Sequence, residues 1–147
     1  MILADSNVWI ALAVPNHSNH QSVHAWMSSQ PSTRSVCFCR ATQQSFLRLL
    51  TNEHVMRSQG QGAVSNEEAW KFYDAARQDT RVGWLEEPHG TEPQWRVNSV
   101  RKTPSTKLWM DAYLAAFAIK ADLTLVTLDR DFTTYEKNGL DLIVAEA

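Results

Sequence analysis

The sequence predicts an α/β fold with three layers, in which helices cover both faces of a mostly parallel central sheet of about four to five strands. Short apolar runs alternate with longer segments of helical periodicity along most of the chain, and this alternation is typical of a parallel sheet. Hydrophobic residues make up 44% of the 147 residues, so we expect a packed core that needs no disulfide bonds. No internal repeat interrupts the pattern, which indicates one domain over residues 1–147.

Strands and helices alternate from the start of the chain. Residues 1–5 are an apolar run that predicts a short buried strand, and Asn7 is a candidate cap for the helix after it. Prolines at positions 15 and 31 end the first two helices. The further elements predicted in this part are a helix over Val8–Ala13, a helix over Ser18–Ser29, a strand over Ser35–Cys39 and a helix over Ala41–Thr51.

The second half begins with a polar stretch around Gly60 and Gly62, which predicts a flexible loop. The run from Ser65 to Glu68 is a capping box that opens a helix ending near Gln78. The elements predicted after it are a strand over Arg81–Glu86, a helix from Thr91 to about Lys102, a long helix capped by Ser105 or Thr106 and ending at Lys120, and strands over Leu123–Thr127 and Leu140–Val144.

Composition narrows the classes of function. The net charge is −2, so any contact with nucleic acid must use a local basic patch. The chain has no apolar run of roughly 20 residues and no signal-peptide pattern at its start, from which we expect a cytoplasmic protein that does not associate with membranes. Cys37 and Cys39 are two residues apart, and we interpret them as buried thiols.

Three aspartates lie far apart in the chain, each beside an apolar run. Asp5 and Asp129 follow predicted strands, and Asp111 lies in the first turns of the long helix. Ligands of parallel α/β sheets collect at the carboxyl ends of the strands, where a carboxylate is costly to desolvate unless something compensates its charge. Mg²⁺ and Mn²⁺ prefer carboxylate oxygen, so the acids predict a cation site. On spacing alone, three helix or turn caps explain them equally well.

Four segments of the sequence together resemble the PIN domain family, and within it the VapC-type toxins of toxin–antitoxin pairs. The resemblance covers nearly the whole chain and depends on the order and spacing of the segments. They are Asp5-Ser6-Asn7, the run from Phe46 to Asn52, the run from Trp109 to Ala118, and the run from Leu125 to Phe132.

This resemblance implies a PIN-like fold and a Mg²⁺-dependent endoribonuclease that cleaves RNA phosphodiester bonds, with Mn²⁺ as a possible substitute ion. It also implies a homodimer and a cognate VapB-like antitoxin that neutralises the activity. Asp5, Asp111 and Asp129 match the metal-binding acids of the family and are the expected catalytic residues. The matches to the supporting polar positions and to a second acid of the last motif are Asn7, Thr127 and Asp131.

One position departs from the family pattern. Many members carry a glutamate on the middle helix, two or three residues before an arginine, but no acid lies between Thr42 and Arg48. Ser45 is the best match to the glutamate position, and Gln43 or Gln44 are the alternatives for lining the pocket. Neutral groups add no negative charge, so we expect weaker Mg²⁺ binding, or one ion where a complete acidic set holds two.

Cations near the acids are candidates for holding an RNA backbone. No acid lies between Pro93 and Met110, and the basic residues of this stretch lead directly into Asp111. An ordinary solvated basic face is the alternative interpretation, and Arg48 either contacts phosphate or pairs with a site acid. The expected substrate-binding residues are Arg48, Arg101, Lys102 and Lys107.

Two other functions compete with a ribonuclease. A phosphotransferase would use Asp5 as its nucleophile, but such enzymes want a second aspartate two residues later, where this chain has Asn7. A catalytically weakened PIN domain would bind RNA or protein without cleaving it, because the middle helix lacks its acid. Cleavage assays with Mg²⁺, Mn²⁺ or EDTA distinguish the ribonuclease from the binding module, and a beryllofluoride adduct on Asp5 would indicate the phosphotransferase.

Overall fold

A computed structural model describes residues 1–145 of the chain. The sheet has five strands in the order β3-β2-β1-β4-β5, and every neighbouring pair is parallel. This confirms the predicted α/β fold with a parallel central sheet. The strands are β1 (Ile2–Ala4), β2 (Val36–Phe38), β3 (Val82–Trp84), β4 (Thr124–Thr127) and β5 (Asp141–Val144).

Seven α-helices and one 3₁₀ helix connect these strands within the described residues. The α-helices are α1 (Ser6–Ala13), α2 (His20–Ser28), α3 (Arg40–Leu50), α4 (Glu53–Ser58), α5 (Asn66–Gln78), α6 (Thr91–Ser99) and α7 (Leu108–Ala121), and the 3₁₀ helix is Arg130–Asn138. In the part of the chain described, no helix is long and apolar enough to cross a membrane.

Two hydrophobic cores, one on each face of the sheet, give the molecule its three layers. Successive residues of a strand point to opposite faces. Ala4 and Val126 therefore join the core under α1 to α5, while Leu3 and Leu125 join the core under α7 and the 3₁₀ helix. Because β1 and β4 are covered on both faces, their sequences are largely apolar and do not alternate with polar residues.

Helix boundaries are where the sequence predictions needed correction. The cap of α1 is Asp5 rather than Asn7, because the Asp5 side chain accepts a hydrogen bond from the Ser6 amide. The cap of α7 is Lys107, with no side-chain hydrogen bond, so neither Ser105 nor Thr106 has that role. The short helix α4 and the 3₁₀ helix were not predicted, since neither shows a clear apolar period.

The parallel sheet brings distant parts of the chain to one edge. The carboxyl ends of all five strands meet there, and the helices that follow β1 and β2 start there. Helix α7 precedes β4 and runs back against it, so its amino-terminal turn with Asp111 lies at the same edge. We use the name carboxyl edge for this side of the sheet.

Candidate active site

Thr127 is the residue around which the carboxyl edge is organised. It is the last residue of β4 and is fully buried. Its hydroxyl donates to Asp5 Oδ2 at 2.8 Å and accepts from the Asp129 amide at 3.0 Å and from Asn7 Nδ2 at 3.2 Å. Since Ala4 is in register with Val126, the next residue of each strand places Asp5 beside Thr127. One hydroxyl thus links the ends of β1 and β4.

Asp5 is a buried carboxylate with only part of its hydrogen-bonding capacity used. The residue is 7% exposed. Its Oδ1 accepts from the Ser6 amide at 2.7 Å, and its Oδ2 accepts from Thr127. Burial raises the pKa of Asp5 above its ordinary value, the Thr127 and Ser6 hydrogen bonds lower it, and the charge of Asp129 raises it. The environment therefore leaves the negative charge of Asp5 incompletely compensated.

Asn7 and Asp129 fix the loop that follows β4. Asn7 Oδ1 accepts from the Leu128 amide at 3.1 Å while its Nδ2 contacts Thr127. Asp129 caps the 3₁₀ helix, because its Oδ1 accepts from the Asp131 amide at 2.9 Å. Asp129 is therefore a turn cap, as one of the two interpretations expects, and its charge also acts on Asp5 and Asp111. Asp131 is exposed at the rim.

Asp111 lies opposite these residues on the first turn of α7. It is partly buried, and its pKa is raised to about 6 by burial first, then by the charges of Asp5, Asp129 and Asp131. The other three acids are therefore close enough to repel its ionised form. The fold brings the predicted acids to one place, where each destabilises the charge of another.

Few of the described cations can balance the charge of this acidic cluster, which consists of Asp5, Asp111, Asp129 and Asp131. Within residues 1–145, and leaving Arg130 aside, no lysine, arginine or histidine forms an ion pair with these four acids. Among these residues there is also no group of three or more His, Cys, Asp or Glu side chains that could hold a metal ion without further ligands such as water. Mg²⁺ usually keeps several waters and binds through one or two carboxylates, so the donor set fits a hydrated divalent ion.

Helix α3 contributes neutral groups near this edge. Gln43 is buried in the second turn of α3, and its Oε1 accepts from Arg40 Nη1 at 2.5 Å. Ser45 is also buried, while Gln44 and Arg48 are exposed. Arg48 lines a cavity that it shares with Trp70, and no ion pair joins it to a described acid.

Basic side chains border the acidic cluster on one side. Arg101, Lys102 and Lys107 are exposed in the connection between α6 and α7. None of the three forms an ion pair with an acid of residues 1–145. Arg96, which belongs to the same basic stretch, lies 3.6 Å from Glu92 on α6. The connection therefore carries free positive charge into the turn that holds Asp111.

Tyr135 is a neighbour of the cluster that the sequence reasoning missed. It is 2% exposed, and among the described residues its hydroxyl finds no hydrogen-bond partner. Burial raises its pKa, Asp111 and Asp131 raise it further, and Arg101 lowers it. The hydroxyl is thus a buried donor between the acids and the basic connection. Tyr135 is buried together with Phe132, three residues before it, but two apolar residues are too few to predict a helix from the sequence.

Comparison with known proteins shows the family to which the chain belongs. Residues 2–138 match the PIN domain family. Over 143 residues the chain is 46% identical to ribonuclease VapC41 of Mycobacterium tuberculosis, and the match covers 97% of both chains.

Solved structures show the same fold at low sequence identity. The Mycobacterium tuberculosis VapC20 structure, described as a Sarcin-Ricin loop cleaving toxin, superposes with a TM-score of 0.63 at 19% identity over all of both chains. VapBC2 from Rickettsia felis, solved bound to a DNA fragment from its promoter, gives a TM-score of 0.61 at 12% identity over 97% of this chain and 98% of that one. The chain belongs to the PIN domain family, and within it to the VapC-type ribonucleases.

Proposed function

We propose that the protein is a Mg²⁺-dependent endoribonuclease toxin whose active site is the acidic cluster. The observation that carries this proposal is the convergence of Asp5, Asp111 and Asp129 at the carboxyl edge, where Thr127 links the ends of β1 and β4 and where burial and the other acids raise the pKa of Asp111. Carboxylates that lie together with little compensating positive charge favour the binding of a metal cation from solution. Mn²⁺ is the expected substitute ion.

Asp5, Asp111 and Asp129 would hold the ion, directly or through water. When bound, the ion supplies Lewis acidity that lowers the pKa of a water molecule and neutralises charge on the scissile phosphate. Thr127 and Asn7 keep Asp5 and Asp129 in place through the hydrogen bonds described above. The Asp131 carboxylate adds negative charge at the rim.

The substrate is RNA, held by cations outside the acidic cluster. Arg101, Lys102 and Lys107 lie on the connection that leads to Asp111 and have no acidic partner among the described residues. Phosphates bound there would lie beside the acidic cluster. Arg48 stays a candidate for a more distant phosphate, since it is exposed on α3.

A cognate VapB-like antitoxin is the expected protein partner, and a homodimer is the expected assembly. Solved relatives of this fold include the VapBC2 structure from Rickettsia felis, which supports the antitoxin. Exposed Val97 and Val100 on and after α6 support a contact between copies. An antitoxin that inserts an arginine into the acidic cluster would compete with the metal ion. Light scattering of the free chain and of the co-expressed pair tests both assemblies.

The decisive experiment removes single acids. Asp5→Ala and Asp111→Ala should each abolish Mg²⁺-dependent RNA cleavage and growth inhibition. The matched control is Asp74→Ala, because Asp74 is an exposed aspartate of α5 far from the carboxyl edge. Mg²⁺-dependent cleavage that persists in both site variants would rule out this mechanism.

A binding module without catalysis is the second candidate, favoured by the neutral Ser45 and Gln43 in α3. This alternative predicts that wild-type protein binds RNA but leaves it intact with Mg²⁺, Mn²⁺ or EDTA. Ser45→Glu would then add the missing charge and should create or increase cleavage. Cleavage by the wild-type chain excludes the alternative.

A further inference from the structure

A small cavity lies between the end of α6 and the start of α7, the helix that carries Asp111. Its volume is about 230 Å³, and its lining includes Arg101, Thr103, Ser105, Thr106, Leu108 and Trp109. One wall is therefore aromatic, one is cationic, and hydroxyl groups complete the lining. Ligand pockets for larger molecules usually span about 300–1,000 Å³, so this cavity suits a single flat group.

Trp109 is exposed in a way that the fold does not require. It is 58% exposed, although a tryptophan normally buries most of its surface. Its position is fixed by Trp95, whose ring lies 6.3 Å away at 81° and whose Nε1 donates to the Trp109 carbonyl at 2.9 Å. The edge-to-face contact holds the indole without covering it by a parallel stack.

The residues around the cavity are anchored to the catalytic elements. Asn98, which is buried in α6, donates from Nδ2 to the Ala112 carbonyl of α7 at 3.1 Å. Trp109 precedes Asp111 by two residues, and Arg101 is close enough to Tyr135 to act on it electrostatically, as Asp111 also is. None of the four acids lines the cavity, and residues two apart on a helix do not share a face, so the cavity and the acidic cluster lie on different sides of the first turn of α7.

We propose that this cavity binds the base of one unpaired nucleotide of the RNA substrate, flanking the nucleotide that is cleaved. Trp109 stacks on the base, Arg101 pairs with the adjoining phosphate, and the hydroxyls of Thr103, Ser105 and Thr106 are available to the base edge. This inference rests on the ribonuclease function proposed above. A base within a duplex has both faces covered by its neighbours, so the site selects single-stranded or looped RNA.

Charge and shape together favour this occupant. Residues 94–109 contain no acid, so the rim attracts a polyanion. Stacking of a base on an aromatic ring strengthens binding whichever base is present, because every base has a π-face. A second copy of this chain is the competing occupant, since Trp109 is also a large exposed apolar group.

The test measures RNA binding in EDTA, where no cleavage takes place. The probes are a fluorescein-labelled oligouridylate, the same oligomer with abasic residues, and an RNA hairpin with a blunt stem, each titrated with the full chain. Trp109→Ala should raise the Kd for the oligouridylate about tenfold, and Trp109→Phe by much less, since stacking on an aromatic ring survives. The abasic oligomer should bind both wild type and Trp109→Ala equally weakly.

Trp70→Ala is the matched control, because Trp70 is also a half-exposed tryptophan, 50% exposed, but lies on α5. It should bind the oligouridylate as the wild type does. Equal affinity of wild type and Trp109→Ala for the oligouridylate would overturn the proposal, as would a Trp109→Ala chain that dissociates from dimer to monomer in light scattering with unchanged affinity per chain. These outcomes differ from failure of the nuclease assignment, which shows as cleavage that survives loss of Asp5 and Asp111.

Discussion

Asp111 is a partly buried carboxyl group that three other acids surround. Burial and those charges raise its pKa from 3.8 to about 6. A carboxyl whose pKa is raised by folding binds more protons in the folded state, so stability falls as pH rises from about 4 to about 6 and stays low above that range. In the metal-free protein, the ionised Asp111 is therefore destabilising at neutral pH.

Asp111→Asn should stabilise the metal-free protein at about pH 7.5 by roughly 1 kcal/mol, less than the full pKa shift would give because the side chain is partly solvated. The gain should shrink towards pH 4, where the wild-type carboxyl is protonated in the folded chain. Urea unfolding in EDTA at both pH values measures the difference. Equal stabilities at neutral pH would show that the neighbouring acids do not act on Asp111.

Individual site residues differ in how far the sequence could predict them. Asp5 and Asp129 follow strongly apolar strands. Because ligands of parallel sheets bind at the carboxyl ends of the strands, both residues could be predicted as site candidates. Tyr135 has no such signal, because its importance comes from a hydroxyl left without a partner among the described residues. That property depends on packing between the 3₁₀ helix and α7, which no local pattern encodes.

Among secondary-structure elements, buried strands and long amphipathic helices were predictable and short connections were not. Ser65 caps α5 as predicted, since the Glu68 amide donates to the Ser65 hydroxyl at 3.1 Å, although the reciprocal bond of a capping box is not formed by the Glu68 side chain in the part of the chain described. The cap of α1 was misassigned because Asp5 and Asn7 are both good caps, and only the register of β1 against β4 decides between them. The Asn7 side chain instead accepts a hydrogen bond from the Leu128 amide.

The link between β1 and β4 depends on a single hydroxyl, which Thr127→Val removes while keeping similar volume. Three groups lose their partner: the Asp5 carboxylate, the Asp129 amide and the Asn7 side chain. Unsatisfied buried polar groups cost about 1–3 kcal/mol, so we expect a loss of stability in that range and a further rise in the pKa of Asp5, since the Thr127 hydrogen bond lowers it. Urea unfolding measures the loss of stability, and the pH dependence of RNA cleavage measures the change in the pKa of Asp5.

Thr127→Ser is the control for that change. It keeps the hydroxyl and loses one buried methyl, which costs on the order of 1 kcal/mol. Cleavage should therefore survive in Thr127→Ser and fall strongly in Thr127→Val. If the two variants are equally active, the hydroxyl is not what positions Asp5 and Asp129.

For the molecule as a whole, the parallel topology is what assembles the site. Residues 5, 111 and 129 are separated by more than a hundred positions in total, yet strand carboxyl ends and the amino end of α7 all meet at the carboxyl edge. The alternation of strands and helices was enough to predict this convergence. Side-chain distances within the cluster could not be predicted, because they follow from the turns after β1 and β4 and from how α7 packs.

Because folding places uncompensated acids together, Mg²⁺ should stabilise the whole chain. An ion that binds only the folded state adds about 2.7 kcal/mol when its concentration is 100 times its Kd. The thermal midpoint of the wild type should therefore rise with Mg²⁺ or Mn²⁺ at neutral pH. The rise should weaken below about pH 6, since protons then compete for Asp111.

Asp5→Asn and Asp111→Asn should lose most of the rise in thermal midpoint, while the α5 variant Asp74→Asn keeps it. An identical midpoint for the wild type in EDTA and in saturating Mg²⁺ and Mn²⁺ would mean that the acidic cluster is not a cation site, whatever its resemblance to other PIN domains.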